Sequence, residues 1–285
     1  MAGWFTRKRA HDPARLTQLF EGYELPTFPA AVLDVLRLLR SEDSSNAEIA
    51  HALELDPGMS IRLIRVVNSA AYGLRQPAEN LEQAIQLIGR ASVESMLIAA
   101  AVGGSLPLEQ GAGFDPRRFW TSAGLRAAIS GAVAARLQPA ERSLCWTAAL
   151  LADLAVPLLV DALGERYGRL LEEATKGDTP LASLERSAFG WDHAEIGAAI
   201  AQAWALPDAL AFAIAGHHDP VTEDEDATPL PVLLVADLEA DAEACDPLEQ
   251  LSGPAERLGI ATDWLPEVVS VGVDEAEQFA ALLSA

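Results

Sequence analysis

Signals for the start of a helix recur at short intervals through this sequence. Two kinds are present: an aspartate directly before a proline, and a capping residue three positions before Glu or Gln. They are Asp12-Pro13, Asp56-Pro57, Asp115-Pro116, Ser45-x-x-Glu48, Asn80-x-x-Gln83 and Asp192-x-x-Glu195. Such a side chain accepts a backbone N–H that the first turn leaves unpaired, and proline suits the first helical position. The pattern predicts a chain of many short helices.

The composition agrees with an all-α fold. Half of the 285 residues are hydrophobic, only 6% are aromatic, and no segment shows the alternation of a half-buried strand. Segment 103–115 is rich in Gly and Pro and lacks periodicity, which is typical of a connection. We predict two helical lobes, over 24–103 and 116–245, joined by a linker over 104–115. A segment over 1–23 with basic residues and an acidic helical extension over 246–285 flank them.

The charge is strongly negative and unevenly distributed. The formal net charge is −22, and residues 221–285 contain 16 acidic side chains against one basic side chain, Arg257. Arg7, Lys8 and Arg9 give the N-terminal segment the opposite sign. A surface this acidic repels phosphate backbones, so we expect no general nucleic-acid binding.

Several features favour a cytoplasmic location. Cys145 and Cys245 lie far apart without metal-binding spacing, as expected of reduced thiols. The first twelve residues lack the apolar core of a signal peptide. The longest apolar stretch, around Met96 to Val102, is too short to cross a bilayer. We therefore expect a cytoplasmic protein without a transmembrane segment.

The segment from Leu25 to Gly89 resembles the opening of HDOD domains. The likeness consists of Leu25-Pro26-x-x-Pro29, Asp56-Pro57, Asn68-Ser69-x-x-Tyr72-Gly73 and Leu81-x-x-Ala84-Ile85-x-x-Ile88-Gly89, and it continues to about Ala240. The resemblance implies a helical fold related to HD-domain phosphohydrolases, with an N-terminal bundle packed on an HD-like lobe. It also implies a bacterial role in signal transduction. Because the likeness covers most of the chain, no separate output enzyme is expected.

The same resemblance locates the metal ligands of HD-type hydrolases on this sequence. Two imidazole positions are replaced, by Ser122 and by Ala152. Neither a hydroxyl nor a methyl group supplies what a neutral imidazole gives a transition metal. The retained polar positions are Asp153, His193, His217, His218 and Asp237. We expect no catalytic residue, no cofactor and no bound iron, manganese or zinc.

Each retained residue also has a structural interpretation. His193 follows a helix cap, and His217 and His218 suit a helix C-terminus. Asp153 lies among apolar neighbours and must find a donor, so we expect it within hydrogen-bonding reach of at least one of the three histidines. The family signature residues are more typical of helix ends than of ligand binding. They are Asp56, Pro57, Asn68, Ser69, Tyr72 and Gly73.

Two functions remain open at this point. The first is a non-catalytic signalling module that binds signalling proteins, with a small ligand at the degenerate site as a further option, through the surface where the two lobes meet. The second is a metal-dependent phosphohydrolase with a reduced ligand set. The replacements at Ser122 and Ala152 favour the first. The sequence fixes neither the identity of the partner nor the oligomeric state.

Overall fold

The computed structural model describes residues 23–68, 76–107, 111–177, 179–220, 228–240 and 246–283. The described residues are 72% helical and form no strand beyond one isolated bridge between Gly111 and Phe114. The predicted all-α class is confirmed. Ser69, Tyr72 and Gly73 of the family signature lie outside the described residues.

The described part of the N-terminal bundle contains five helices. They are α1 (Ala30–Arg40), α2 (Asn46–Glu54), α3 (Pro57–Val67), α4 (Leu81–Ile88) and α5 (Arg90–Ser105). The Ser45 capping box forms as predicted, and the Asn80 side chain accepts the Gln83 amide. Gly89 ends α4 with φ of 80°, in the left-handed region that favours glycine.

The rest of the chain forms ten helices in the described residues. They are α6 (Pro116–Leu137), α7 (Arg142–Leu151), α8 (Ala155–Leu163), α9 (Glu165–Lys176), α10 (Leu181–Phe189), α11 (His193–Ala203), α12 (Asp208–Ala215), α13 (Leu230–Leu234), α14 (Pro247–Arg257) and α15 (Leu265–Leu283). Asp115 and Asp192 cap α6 and α11, as their spacing predicts.

Helix α6 is the central element, because α7, α13 and α15 all pack against it. A second apolar cluster lies between α6 and the C-terminal helices, and it includes Ile129, Leu251 and Leu265. The first cluster runs from Phe28 in the N-terminal lobe to Val232 in the second lobe. The predicted boundaries at 103, 115 and 245 stay predictions, but the two lobes share one continuous core.

The segment before α1 joins the lobes. The Tyr23 hydroxyl donates to Asp161 Oδ2 at 2.7 Å, and Trp204 Nε1 donates to the Pro26 carbonyl at 2.8 Å. The ring of Phe28 lies 5.7 Å from that of Trp204. Segment 23–29, which includes the Leu25-Pro26-x-x-Pro29 motif, therefore connects the N-terminal bundle with α8 and with the end of α11.

Met96–Val102 is not the longest apolar segment of the described chain. The 25-residue segment Pro139–Leu163 contains an 18-residue window with a mean hydropathy of 1.9. By length and composition it could cross a membrane. Its apolar window is 72% buried inside the protein. Because a core helix passes the same test, this burial accounts for the hydropathy of α7 and α8.

Candidate functional site: a histidine-aspartate cluster

Four of the predicted residues meet at one point. Asp153 lies in the turn between α7 and α8, His193 begins α11, and His217 and His218 lie in the turn after α12. One ligand atom from each lies within 4.8 Å of the others. Asp153 Oδ1 is 3.2 Å from His193 Nε2 and 3.4 Å from His217 Nε2. The predicted contact between Asp153 and the histidines is confirmed.

His193 is held from behind by a buried carboxylate. Glu185 Oε2 accepts from His193 Nδ1 at 2.7 Å and from its backbone N–H at 2.9 Å. The hydroxyl of Tyr167 donates to Glu185 Oε1, so both carboxylate oxygens are used. Burial disfavours the charged imidazole, yet hydrogen bonds to Asp153 and Glu185 outweigh it and raise the pKa of His193 to about 10. Glu185 thus fixes the ring and leaves Nε2 directed into the cluster.

The two other imidazoles also present Nε2. His217 Nδ1 donates to the Ile214 carbonyl at 2.7 Å, which leaves Nε2 directed into the cluster. His218 Nε2 lies 3.0 Å from His193 Nε2, while its Nδ1 lies 3.4 Å from Asp237 Oδ1. Burial and the neighbouring His217 and His193 lower the pKa of His218 to about 2. His218 is therefore neutral at pH 7.

Asp153 is an ion-pair partner as well as a member of the cluster. Arg126 Nη2 lies 2.6 Å from Asp153 Oδ2, and the arginine side chain is only 3% exposed. Burial raises the pKa of Asp153, but the charge of Arg126 and hydrogen bonds with His193 and His217 hold that pKa well below its usual range. The carboxylate is ionised, with one oxygen on Arg126 and the other on the imidazoles.

The remaining predicted positions lie around this cluster in other roles. Ser122, four residues before Arg126 on α6, donates to Glu239 Oε2 at 3.0 Å and accepts the Ala240 N–H at 2.9 Å. Ala152 is buried at the end of α7. The Asp237 side chain is 70% exposed, and its Oδ1 lies 3.4 Å from His218 Nδ1.

Three polar residues of the site were missed from the sequence: Arg126, Glu185 and Glu239. Arg126 had a readable signal, because it is the one charged residue in the apolar stretch 122–135 and a buried guanidinium requires an anion. Glu185 and Glu239 reach the site only through the packing of α10 and of the segment after α13.

The family signature residues that are described make local structural contacts. The Asp56 side chain accepts the Met59 N–H at 3.0 Å, and Pro57 begins α3. Asn68 donates to the Ala78 carbonyl at 3.0 Å and accepts its N–H at 2.6 Å. These contacts tie the end of α3 to the start of α4.

The donor set fits one metal ion and not a pair. Three Nε2 atoms and one carboxylate oxygen are a donor set suited to zinc or a related divalent ion. Ser122 and Ala152 stand where the resemblance to HD-type hydrolases places two further imidazole ligands, and neither side chain supplies a nitrogen donor. The second oxygen of Asp153 is paired with Arg126 instead. The two metal ions of such hydrolases lie about 3.5–4 Å apart and share bridging ligands. This arrangement does not provide those ligands.

A cleft opens beside the cluster. It has a volume of about 450 Å³, and His217, His218, Asp237, Leu258 and Arg257 are among its lining residues. Arg257 is the one basic residue in 221–285. Two imidazoles of the cluster therefore border a space large enough for a small molecule.

Comparison with known proteins agrees with this fold. A protein of Shewanella amazonensis SB2B named "Putative phosphohydrolase" superposes with a TM-score of 0.74 at 25% identity, covering 94% of this chain and 99% of that one. One of Marinobacter aquaeolei VT8 named "Putative signal transduction protein" gives 0.71 at 17% identity, covering 94% of this chain and 61% of that one.

A curated relative and a family match complete the comparison. An uncharacterized protein of Treponema pallidum (strain Nichols) is 25% identical over 211 residues, which are 73% of this chain and 40% of that protein. This chain thus spans less than half the length of that relative. The HDOD domain matches residues 25–220. The chain belongs to the HDOD domain family.

Proposed function

We propose that this protein is a non-catalytic, cytoplasmic signal-transduction module that acts by binding other proteins. One observation carries the proposal: Arg126 pairs with the carboxylate that a hydrolytic metal pair would share. The positive charge that metals would supply to Asp153 is supplied by the protein itself. The name of the Marinobacter aquaeolei protein, which has the same fold, supports a role in signalling.

The geometry of the cluster also disfavours hydrolysis. A divalent ion at a hydrolytic site polarises a phosphate and activates a bound water, which requires an open coordination position. Here four protein donors converge, and His193 and His217 are only 2% and 1% exposed. The chain's own residues orient the imidazoles, and two of the three rings are almost inaccessible to solvent. These features support a structural role for the cluster.

Association is proposed at the junction of the lobes. The Tyr23, Pro26 and Phe28 contacts hold the N-terminal bundle against α8 and α11, so this junction is a defined surface. The net charge of −22 favours basic partner surfaces and makes their encounter sensitive to salt. The same charge also serves solubility.

The alternative function is a metal-dependent phosphohydrolase. The cleft of about 450 Å³ beside His217 and His218 favours it, and so does the name of the Shewanella amazonensis protein. In this case the cluster would hold an ion whose last coordination position opens toward the cleft.

A rescue experiment separates the two functions. The native gene is deleted and replaced by His218→Gln, which removes a donor from a partly exposed position, or by His51→Gln on the exposed face of α2 as control. Both variants are checked for folding by circular dichroism. If the protein acts by association, we expect both variants to restore the phenotype. We also expect the same cross-linked partners to co-purify with each variant. Loss of function in folded His218→Gln alone would favour the phosphohydrolase.

A further inference from the structure

The centre of the cluster concentrates electron pairs. The Nδ1 atoms of His193 and His217 face the acceptors Glu185 Oε2 and the Ile214 carbonyl, both at 2.7 Å. Their Nε2 atoms lie 3.3 Å apart, and Asp153 Oδ1 faces both. Without a positive charge among them these atoms repel one another; a proton on His193 relieves only the contacts of that ring, whereas a metal cation between the four donors relieves all of them.

The spacing of these atoms is that of ligands around one ion. Bonds of about 2.0–2.1 Å from zinc to nitrogen or oxygen place tetrahedral ligands about 3.3 Å apart. Four of the six distances between the donor atoms are 3.0, 3.2, 3.3 and 3.4 Å, and all four atoms lie within 4.8 Å of one another. Metal-ligating histidines also bind a carboxylate or carbonyl through their other nitrogen, as His193 and His217 do here.

We infer that the cluster of Asp153, His193, His217 and His218 holds a single divalent ion of the zinc class, and that Arg126 takes the place of a second ion. The inference concerns the same site as the proposed function but is separate from it, because an ion can be bound with or without turnover.

Arg126 sets the number of ions. Its guanidinium stays charged at every relevant pH and occupies Asp153 Oδ2. Its Nη1 donates to the Leu238 carbonyl at 3.3 Å, so α6 and the segment after α13 fix the charge in place. A second cation on Oδ2 would have to displace this buried group and would be repelled by it.

The ion would connect three parts of the second lobe. Asp153 comes from the α7–α8 turn, His193 from the start of α11, and His217 and His218 from the turn after α12. With four protein donors the coordination is complete, as in structural zinc sites. The ion would therefore stabilise the lobe.

The first test is the stoichiometry of the full chain. The protein is stripped with a chelator, dialysed against Zn²⁺ or Co²⁺, and analysed by mass spectrometry of the metal. We expect about one ion per chain, a tetrahedral Co²⁺ absorption spectrum, and a Tm raised by more than about 5 °C at saturating ion. His217→Ala should lose the ion, and His51→Ala, an exposed control, should keep it. Zero ions in folded wild type would overturn the inference and leave a protonated His193 as the compensating charge.

The second test isolates Arg126. Ser122→His with Ala152→His restores both missing imidazoles while the arginine remains, and a triple variant adds Arg126→Met. We expect one ion in the double variant and two in the triple variant. Two ions in wild type or in the double variant would show that Arg126 does not limit the site. If the triple variant does not fold, the wild-type and double-variant stoichiometries still decide. A phosphohydrolase with one ion would contradict the proposed function alone.

Discussion

Arg126 and Asp153 form a buried ion pair across the two helical elements that HD-type hydrolases use to bind metal. The guanidinium on α6 lies 2.6 Å from the carboxylate that follows α7. Because Arg126 is 2% exposed, removing either charge alone would take away the shortest ion-pair contact of the other inside the protein. Two imidazole ligands of HD sites are replaced here, by Ser122 and Ala152. In the same site, the guanidinium of Arg126 balances the charge of the Asp153 carboxylate.

Glu185 should be the most sensitive residue outside the cluster itself. Glu185→Ala leaves the His193 N–H groups and the Tyr167 hydroxyl without their buried acceptor, and we expect a loss of about 3–5 kcal/mol in the free energy of unfolding. Glu172→Gln, which affects an exposed pair with Lys176, should cost less than about 0.5 kcal/mol. Urea unfolding followed by circular dichroism measures both. Equal losses would show that Glu185 is not the anchor of His193.

The C-terminal helix α15 should depend on one glycine. A Cβ at Gly272 would lie 2.5 Å from Ile129 Cγ1 and 3.3 Å from its backbone nitrogen, so Gly272→Ala must push α15 from α6. We expect a loss of about 1–3 kcal/mol. Gly104→Ala on α5 meets nothing within 4 Å and should be neutral or stabilising by up to about 1 kcal/mol. Thermal unfolding distinguishes them, and similar Tm values would contradict this packing.

Trp204 should hold the lobe junction. Trp204→Phe removes the donor to the Pro26 carbonyl and should cost about 1 kcal/mol, while Trp204→Ala also removes the packing on Phe28 and should cost about 3–5 kcal/mol. Proteolysis of the native protein should become faster between the lobes in the same order. An Ala variant as stable as wild type would mean that the motif at 25–29 does not join them.

Cys145 should be an unreactive thiol with a defined pH dependence. Burial, together with the charge of Glu141, raises its pKa from 9.0 to about 12. Since the thiolate is the nucleophile, iodoacetamide at pH 8 should label Cys145 at least about 100-fold more slowly in the folded protein than in urea, in a Cys245→Ser background. The raised pKa contributes stability below pH 9 that is lost as the pH rises toward 12, and Cys145→Ala should lack this loss. Rapid native labelling would contradict the burial of the thiol.

The sequence predicts the helices well because their signals are local. Caps at Ser45, Asn80, Asp115 and Asp192 need only neighbouring residues, and each forms where its spacing places it. Asp153 and the three histidines could be assembled only through the family resemblance, since 64 residues separate the first from the last of them. Their meeting is a property of the fold.

The partners of the cluster could not be predicted in the same way. Glu185 and Tyr167 come from separate helices, and nothing in their local sequence distinguishes them from surface residues. The apolar segment Pro139–Leu163 was underestimated because Asp153 interrupts it, although Arg126 neutralises that charge. Contacts between residues that are distant in sequence therefore determine both the composition of the site and the burial of this segment.

The central claim is that the site does not catalyse phosphate hydrolysis, and turnover of the metal-loaded protein tests it most directly. The full chain, loaded with Zn²⁺, Mn²⁺ or Fe²⁺, is incubated with bis(p-nitrophenyl) phosphate and with cyclic dinucleotides, beside a folded Asp153→Asn variant. We expect the rates of both proteins to equal the metal-only background. Metal-dependent turnover by wild type that Asp153→Asn abolishes would contradict the account.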